Sequence, residues 1–263
     1  MKKRLDVILT ERNLFPSREK ARTAIMTGRI IIRGNKETKA GTMIAEDTEI
    51  EVIGHDLPYV SRGGLKLEKA VKAFSLDFND KVVLDIGAST GGFTDCSLQN
   101  GAKKVYAVDV GYGQLAWSLR SDDRVVVLEK VNARYLTAEQ VPEAVDFTVM
   151  DASFISLKKL IPHLISFLKE EGAFVSLIKP QFEAGKEKVG KKGVVRDPAV
   201  HKEVIEELMA FFEKEGLSVE RLTFSPIKGP EGNREYLVLL RKNGQRYDVP
   251  DVDFLIEKAF EEI

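Results

Sequence analysis

The chain has 263 residues and a mass of 29.4 kDa, with 43% apolar and 31% charged residues, which excludes a disordered or fibrous protein. No run approaches the ~18 consecutive apolar residues of a membrane span, and a single cysteine, Cys96, excludes an intramolecular disulfide or a cysteine-built zinc or iron–sulfur centre. The net charge of −1 conceals a basic head: residues 1–36 carry ten Lys/Arg against three acids, a net of +7, whereas residues 73–263 net −6. Such a head suits an anionic ligand, although a solvated helical face would look the same. The opening MKKRLDVILTERNLF is too interrupted by Asp6, Glu11 and Arg12 to read as a signal peptide, and a reducing, cytoplasmic setting is expected.

Leu5, Ile8 and Leu9 recur at helical spacing, and Phe15-Pro16 breaks the pattern. Ser17 then serves as the N-cap of a second helix through Ala21, Ala24 and Ile25, which Gly28 ends. Residues 29–33 read as a strand, Gly34-Asn35 and Gly41 as turns, 48–53 as another strand, and 54–58 as the close of a small α+β unit. An amphipathic helix starts near Leu65. A βα rhythm follows, with strands at 81–86, 104–109, 125–128, 145–150 and 173–178 and helices near 92–100, 113–119, 154–168 and 198–215. The first and fifth strands are apolar without alternation, as in a sheet covered on both faces. Late strands near 217–225 and 235–241 suggest an antiparallel hairpin closing a Rossmann-like α/β sheet, and 247–263 a helical tail.

The segment DIGASTGGFTD follows the first βα strand and opens a helix. Gly87, Gly91 and Gly92 let backbone approach a ligand, but their spacing is not that of a dinucleotide fingerprint. Asp85, two residues before the first glycine, would crowd a pyrophosphate and would suit an ammonium group, such as the methionyl part of S-adenosylmethionine. Asp109 ends the next strand, where a carboxylate can take both hydroxyls of an adenosine ribose. Ser89 and Phe93 belong to the same loop and helix start, and Asn132 is a candidate for the adenine edge. Asp85 and Asp109 also have a plain reading as strand-end and cap residues, and Asn132 as a surface-turn residue.

Four charged residues stand at informative places. Asp151 follows the fourth strand in MDASFIS, and Lys179 ends the fifth in LIKPQFE, on the rim where open α/β sheets bind ligands. Asp151 could instead cap a helix at 153. Lys66 opens the helix before the sheet and Glu235 begins the last strand; taken alone, both read as surface residues. His55, His163 and His201 are scattered, no GxSxG elbow or Walker motif occurs, and no metal pattern is present.

These segments together resemble the haemolysin-A-type ribosomal RNA methyltransferases. The motifs are SREKARTAI from Ser17, GRIII from Gly28, YVSRGGLKL from Tyr59, DIGASTGGFTD, VYAVDVGYGQL, MDASFIS, LIKPQFE, GKKGVVRD and KGPEGNREYL, and they cover nearly the whole chain. Ser89-Thr90 stands where many FtsJ-like relatives have Ala-Pro. The resemblance implies a small RNA-binding domain over 1–60, of the type found in the fourth protein of the small ribosomal subunit. It implies an FtsJ-like class I methyltransferase domain over 61–246 and a tail over 247–263. It further implies a Lys-Asp-Lys-Glu tetrad at Lys66, Asp151, Lys179 and Glu235, S-adenosylmethionine as methyl donor with Asp151 also near it, and no metal. The implied reaction is 2'-O-methylation of a cytidine ribose in small-subunit, and in some members large-subunit, ribosomal RNA.

In the head, Arg4, Arg18, Lys20, Arg22 and Arg29 are the expected phosphate contacts; Arg62 is a coupling residue or a plain bridge. The basic stretch 186–196 is either an RNA-closing loop or a surface loop. The alternatives are a non-catalytic ribosome assembly factor, a small-molecule or base methyltransferase and, from the family's name, a cytolysin. For the last, neither a spanning segment nor a long basic amphipathic helix is present.

Overall fold

The computed structural model describes residues 2–53, 57–242 and 251–263. His55, part of the expected turn at 54–58, the 246/247 boundary and the start of the expected tail lie outside the described residues. The chain divides into two compact units, Met1–Arg62 and Gly63–Ile263.

In the first unit, β1 (Lys2–Arg4) leads into α1 (Leu5–Glu11), and α2 (Arg18–Met26) follows. Ser17 caps α2 as expected, its side chain accepting from the Lys20 amide at 3.2 Å, and Gly28 leaves the helix at φ +70°. Then come β2 (Ile30–Ile32), β3 (Asn35–Glu37), β4 (Met43–Ala45) and β5 (Ile50–Val52). The order β3-β2-β5 is antiparallel, and β1 pairs with β4. Arg33 and Gly34 both take positive φ, the two-residue turn that matches the twist of a hairpin, so Asn35 opens β3 rather than lying in the turn. Strands β1, β3 and β4 have three residues each, too few to show alternation, and the sequence reading had no place for them. Leu5, Ile8, Leu9, Phe15, Ala21, Ala24, Ile25 and Ile30 form one small buried core.

The second unit opens with α3 (Gly63–Phe74), β6 (Val82–Ile86), α4 (Gly92–Gln99), β7 (Lys104–Asp109), α5 (Trp117–Arg120) and β8 (Val125–Glu129). It continues with β9 (Val145–Met150), α6 (Ile161–Leu164), β10 (Leu168–Ile178), α7 (Pro180–Glu183), α8 (Pro198–Lys214), β11 (Ser218–Phe224), β12 (Tyr236–Arg241) and α9 (Val252–Glu262). The sheet order is β11-β12-β10-β9-β6-β7-β8, with β12 antiparallel to both neighbours and β9, β10, β6, β7 and β8 mutually parallel. This is the expected α/β sheet with a late antiparallel strand pair.

Two helical expectations are corrected. The stretch 154–168 is not one helix: a 3₁₀ turn at Leu157–Lys159, the four-residue α6 and a second turn replace it. Phe154 at φ +63° and Pro162, which has no amide to donate, prevent a continuous ladder. Asp151 therefore caps no helix at 153. The helix expected at 113–119 shrinks to α5, because Gly113 turns at φ +70° and its amide goes to the Glu129 carboxylate at 2.8 Å.

Strand order reverses between β6 and β9, so the connections leave these two strands in opposite directions and open a crevice at their carboxyl ends. The pairings Ile86↔Met150, Ser176↔Met150 and Ile178↔Tyr236 bring the residues just after β6, β9 and β10 to one rim. Because β12 runs the other way, its amino end reaches the same rim.

Candidate active site

Asp85 is fully buried in β6. Its Oδ2 accepts from the Thr94 hydroxyl at 2.6 Å, while Oδ1 is buried with no hydrogen-bond partner among the described residues. Burial, with smaller contributions from the Asp151 and Asp109 charges, pushes this carboxyl up to about 7 against the Thr94 bonds. Gly87 follows at φ +82°, and a Cβ there would lie 3.1 Å from both the Asp151 carbonyl oxygen and the Ala152 Cα, so glycine is what lets the β6 and β9 loops touch. Gly91 caps α4 at φ +100°, closely packed against Leu119.

Across the rim, Asp109 accepts from the Ser89 amide and the Gly111 amide, each at 2.7 Å, which orients its carboxylate. Ser89 is exposed at φ +49°, Phe93 is buried, and Asn132 is exposed and caps its own turn through the Arg134 amide at 3.1 Å.

The four charged candidates, scattered over 170 positions of sequence, form one chain of contacts. Lys179 Nζ stands 2.6 Å from Asp151 Oδ1, and Lys66 Nζ stands 3.3 Å from Asp151 Oδ2 and 2.7 Å from Glu235 Oε2. Lys66, Lys179 and Glu235 are buried, whereas the Asp151 side chain keeps 19% of its surface exposed. Burial works to lower Lys66, but the Asp151 and Glu235 carboxylates outweigh it and hold the ammonium above the ordinary lysine range. Lys179 also donates to the Ser153 hydroxyl at 2.9 Å and to the Asp151 carbonyl at 3.2 Å.

The sequence reading did not single out Ser153, Gln181 or Gly229. Gln181 Nε2 donates to Glu235 Oε1 at 3.2 Å, and its own Oε1 is buried without a partner among the described residues. A Cβ on Gly229 would lie 2.9 Å from Glu235 Oε1, so a bare backbone is needed there. The available signal was position: Ser153 and Gln181 each lie two residues beyond a predicted rim residue. Phe154, 90% exposed with its ring centroid 5.0 Å from that of Phe182, was missed as well.

Glu235 belongs to a run in which each side chain fastens a different segment. Asn233 accepts from the Val195 amide at 3.0 Å and donates to the Gly193 carbonyl at 2.8 Å. Arg234 donates to the Ala259 and Phe260 carbonyls at the end of α9. Tyr236 meets the buried His201 of α8 at 2.8 Å, and His201 also bonds the Val195 carbonyl at 3.0 Å. His201 is therefore a packing residue, held below the ordinary imidazole range by burial. The basic loop around 186–193 is exposed, but these bonds and the buried Val194 and Val195 root its far end.

In the first unit, Arg4 and Arg18 both bond the buried Asp6. Lys20, Arg22 and Arg62 are exposed. Arg29 is half-buried, donating to the Ile53 carbonyl at 3.1 Å and lying over the Phe15 ring. Among the described residues no helix is long and apolar enough to cross a membrane.

The FtsJ-like methyltransferase family model matches residues 59–242. A candidate rRNA methyltransferase, YqxC of Bacillus subtilis, is 49% identical over 98% of this chain and 94% of its own. The 16S/23S rRNA (cytidine-2'-O)-methyltransferase TlyA of Mycobacterium tuberculosis is 43% identical over 92% of this chain and 91% of its own. A solved structure of a candidate hemolysin from Streptococcus thermophilus, 45% identical, superposes with a TM-score of 0.79 over 99% of this chain and 96% of that one.

Proposed function

The chain belongs to the FtsJ-like methyltransferase family, and we propose that it methylates the ribose 2'-hydroxyl of a cytidine in ribosomal RNA, of the small subunit and also of the large one, with S-adenosylmethionine as donor. The observation that carries this reading is the buried Lys179–Asp151–Lys66–Glu235 chain on the rim it shares with Asp85.

The residues fit the donor. Asp85 offers an unpartnered buried oxygen to the methionyl ammonium, and Asp109, already oriented by two amides, offers acceptors to the ribose hydroxyls. Gly87, Ser89 and Gly91 supply the close backbone, Phe93 supports it from within, and Asn132 stands at the adenine side. When bound, S-adenosylmethionine supplies a methyl group on a sulfonium, which needs only a well-aligned oxygen to accept it.

The protein must therefore position a poor nucleophile and stabilise the negative charge that grows on it. Lys179 does both, pointing an N–H at the 2'-oxygen while the hydroxyl proton passes to solvent water. Asp151 holds Lys179 and Lys66 in register through its two oxygens. Glu235 keeps Lys66 in place from 2.7 Å, so that the cluster alternates two lysines with two carboxyl groups before substrate arrives. The exposed ring of Phe154 offers a stacking face to an unstacked base.

The first unit serves as the RNA-binding domain, with Arg4, Arg18, Lys20 and Arg22 toward phosphates; Arg29 contributes through the fold it braces. Such work belongs in the cytoplasm.

The test is methyl transfer from labelled S-adenosylmethionine to separated, unmodified ribosomal subunits, with mapping of the product. Label on a cytidine 2'-oxygen, lost in Lys179→Ala, is expected. Donor binding with no label in any ribosomal RNA would end the ribosomal reading. Failure to bind the donor even with RNA present would leave an RNA-binding assembly factor.

A further inference from the structure

The acid Asp6 lies in the most basic stretch of the chain, where it lowers the net charge, yet its side chain is completely buried. It stands at the meeting point of two arginines. Arg4 grips it bidentately, Nε to Oδ1 at 2.9 Å and Nη2 to Oδ2 at 3.0 Å, and Arg18 Nη2 reaches the same Oδ2 at 3.0 Å. Sharing one oxygen places the two Nη2 atoms within about 6 Å of each other. Two guanidinium groups so close repel, and the carboxylate between them is what holds them together.

The acid itself is fixed. Its amide donates to the Ala40 carbonyl at 3.2 Å, the Leu5 amide donates to Thr42 at 2.8 Å, and the Arg4 guanidinium lies over Gly41. The Arg4 bonds hold the Asp6 carboxyl below the usual carboxylate range against the effect of burial, with Arg18 adding to them. The arginines, in contrast, face solvent, with side chains 48% and 57% exposed, and among the described residues no hydrogen bond engages Nη1 of either.

We propose that Asp6, Arg4 and Arg18 form one phosphate clamp for the RNA backbone, in which the arginines make the contact and Asp6 is the positioning residue. The clamp rests on the reading of the first unit as RNA-binding and adds to it. A single phosphate group, with oxygens to spare for two forks, matches a pair of converged guanidinium groups with unused N–H donors. The competing view is that Asp6 merely staples α1 to α2 and that the head binds RNA by diffuse charge.

The two views differ in sign. Asp6→Asn adds one positive charge to the head. Diffuse charge predicts tighter RNA binding, whereas the clamp predicts weaker binding. The experiment is filter binding of full-length protein to unmodified ribosomal subunits across a salt series. For Asp6→Asn the clamp gives affinity lower by about ten- to a hundredfold and a log K–log salt slope shallower by about 0.7–0.9, one lost phosphate contact. Arg4→Lys and Arg18→Lys keep the charge but lose the fork, and they should fall in the same direction. They also carry the test if Asp6→Asn loses its thermal transition. Binding as tight as wild type, or tighter, with an unchanged slope in the folded variants overturns the clamp. Methyl transfer is read on the same samples: wild type that fails to methylate while the clamp variants still lose binding overturns the catalytic reading alone.

Discussion

Two buried acids on one rim are handled in opposite ways. Glu235 has a lysine at 2.7 Å, and Lys66 is shared with Asp151. Asp85, equally buried, has no cation and keeps one oxygen unpartnered among the described residues. The tetrad sets its two acids against two lysines within 3.3 Å, so each of its groups already has a partner in the free protein. The buried Asp85 is left short of a positive charge, which the proposed donor would supply. A buried carboxyl group thus stabilises the free protein at one end of the crevice and destabilises it at the other, and only the second end would gain by binding a cation.

Lys179→Ala should mark that contrast most sharply. Methyl transfer is expected to fall by about 10²–10⁴-fold, with donor affinity unchanged by calorimetry; equal loss of both would mean the two ends are not separate. Glu235→Ala leaves Lys66 buried with one acid and should lower the stability of the second unit by about 3–5 kcal/mol, read from its thermal or denaturant transition. Asp85→Asn should do the reverse to the free protein, leaving it as stable or more stable above pH 7, while donor binding weakens by about ten- to a hundredfold.

The smallest effect is the pH dependence of the wild type. A carboxyl raised to about 7 in the folded state binds its proton more tightly than the unfolded chain does. The free protein therefore gains stability as pH falls from about 7 toward the ordinary carboxylate range and lacks that gain above 7. Donor binding needs the ionised form, so affinity should be level above about pH 7 and fall by up to about tenfold per unit below it, with proton release on binding. Calorimetry in buffers of different ionisation enthalpy checks this, and Asp85→Asn should abolish it.

The sheet was legible because β6 and residues 173–178 of β10 are buried without alternation, and because Asp85 and Asp109 lie at the carboxyl ends of β6 and β7 while Asp151 and Lys179 directly follow β9 and β10. Lys66 and Glu235 read as surface residues on local pattern, because their burial comes from partners 85 and 169 positions away. The family resemblance is what raised them above that reading. The role of Asp6 was hidden for a related reason: in a count of charges it only subtracts, and its value lies in geometry. The stretch 154–168 has helical apolar spacing, but Pro162 and the left-handed Phe154 override it. Of the three-residue strands of the first unit, β2 and β5 showed as apolar runs, whereas β1, β3 and β4 carry too little pattern to be read.

The anchoring run Asn233–Tyr236 has a consequence for the order in which the enzyme comes into being. Synthesis proceeds from the amino terminus, so Asp85, Asp109, Asp151 and Lys179 are all made before the segment that ties down the 193–195 loop, α8 and α9. A nascent chain that ends short of residue 235 holds Lys66 without its nearest acid, and β10 without its antiparallel neighbour. Completion of the cluster is thus coupled to near-completion of translation, and a prematurely terminated product has Asp85, Asp109, Asp151 and Lys179 without the assembled four-residue cluster.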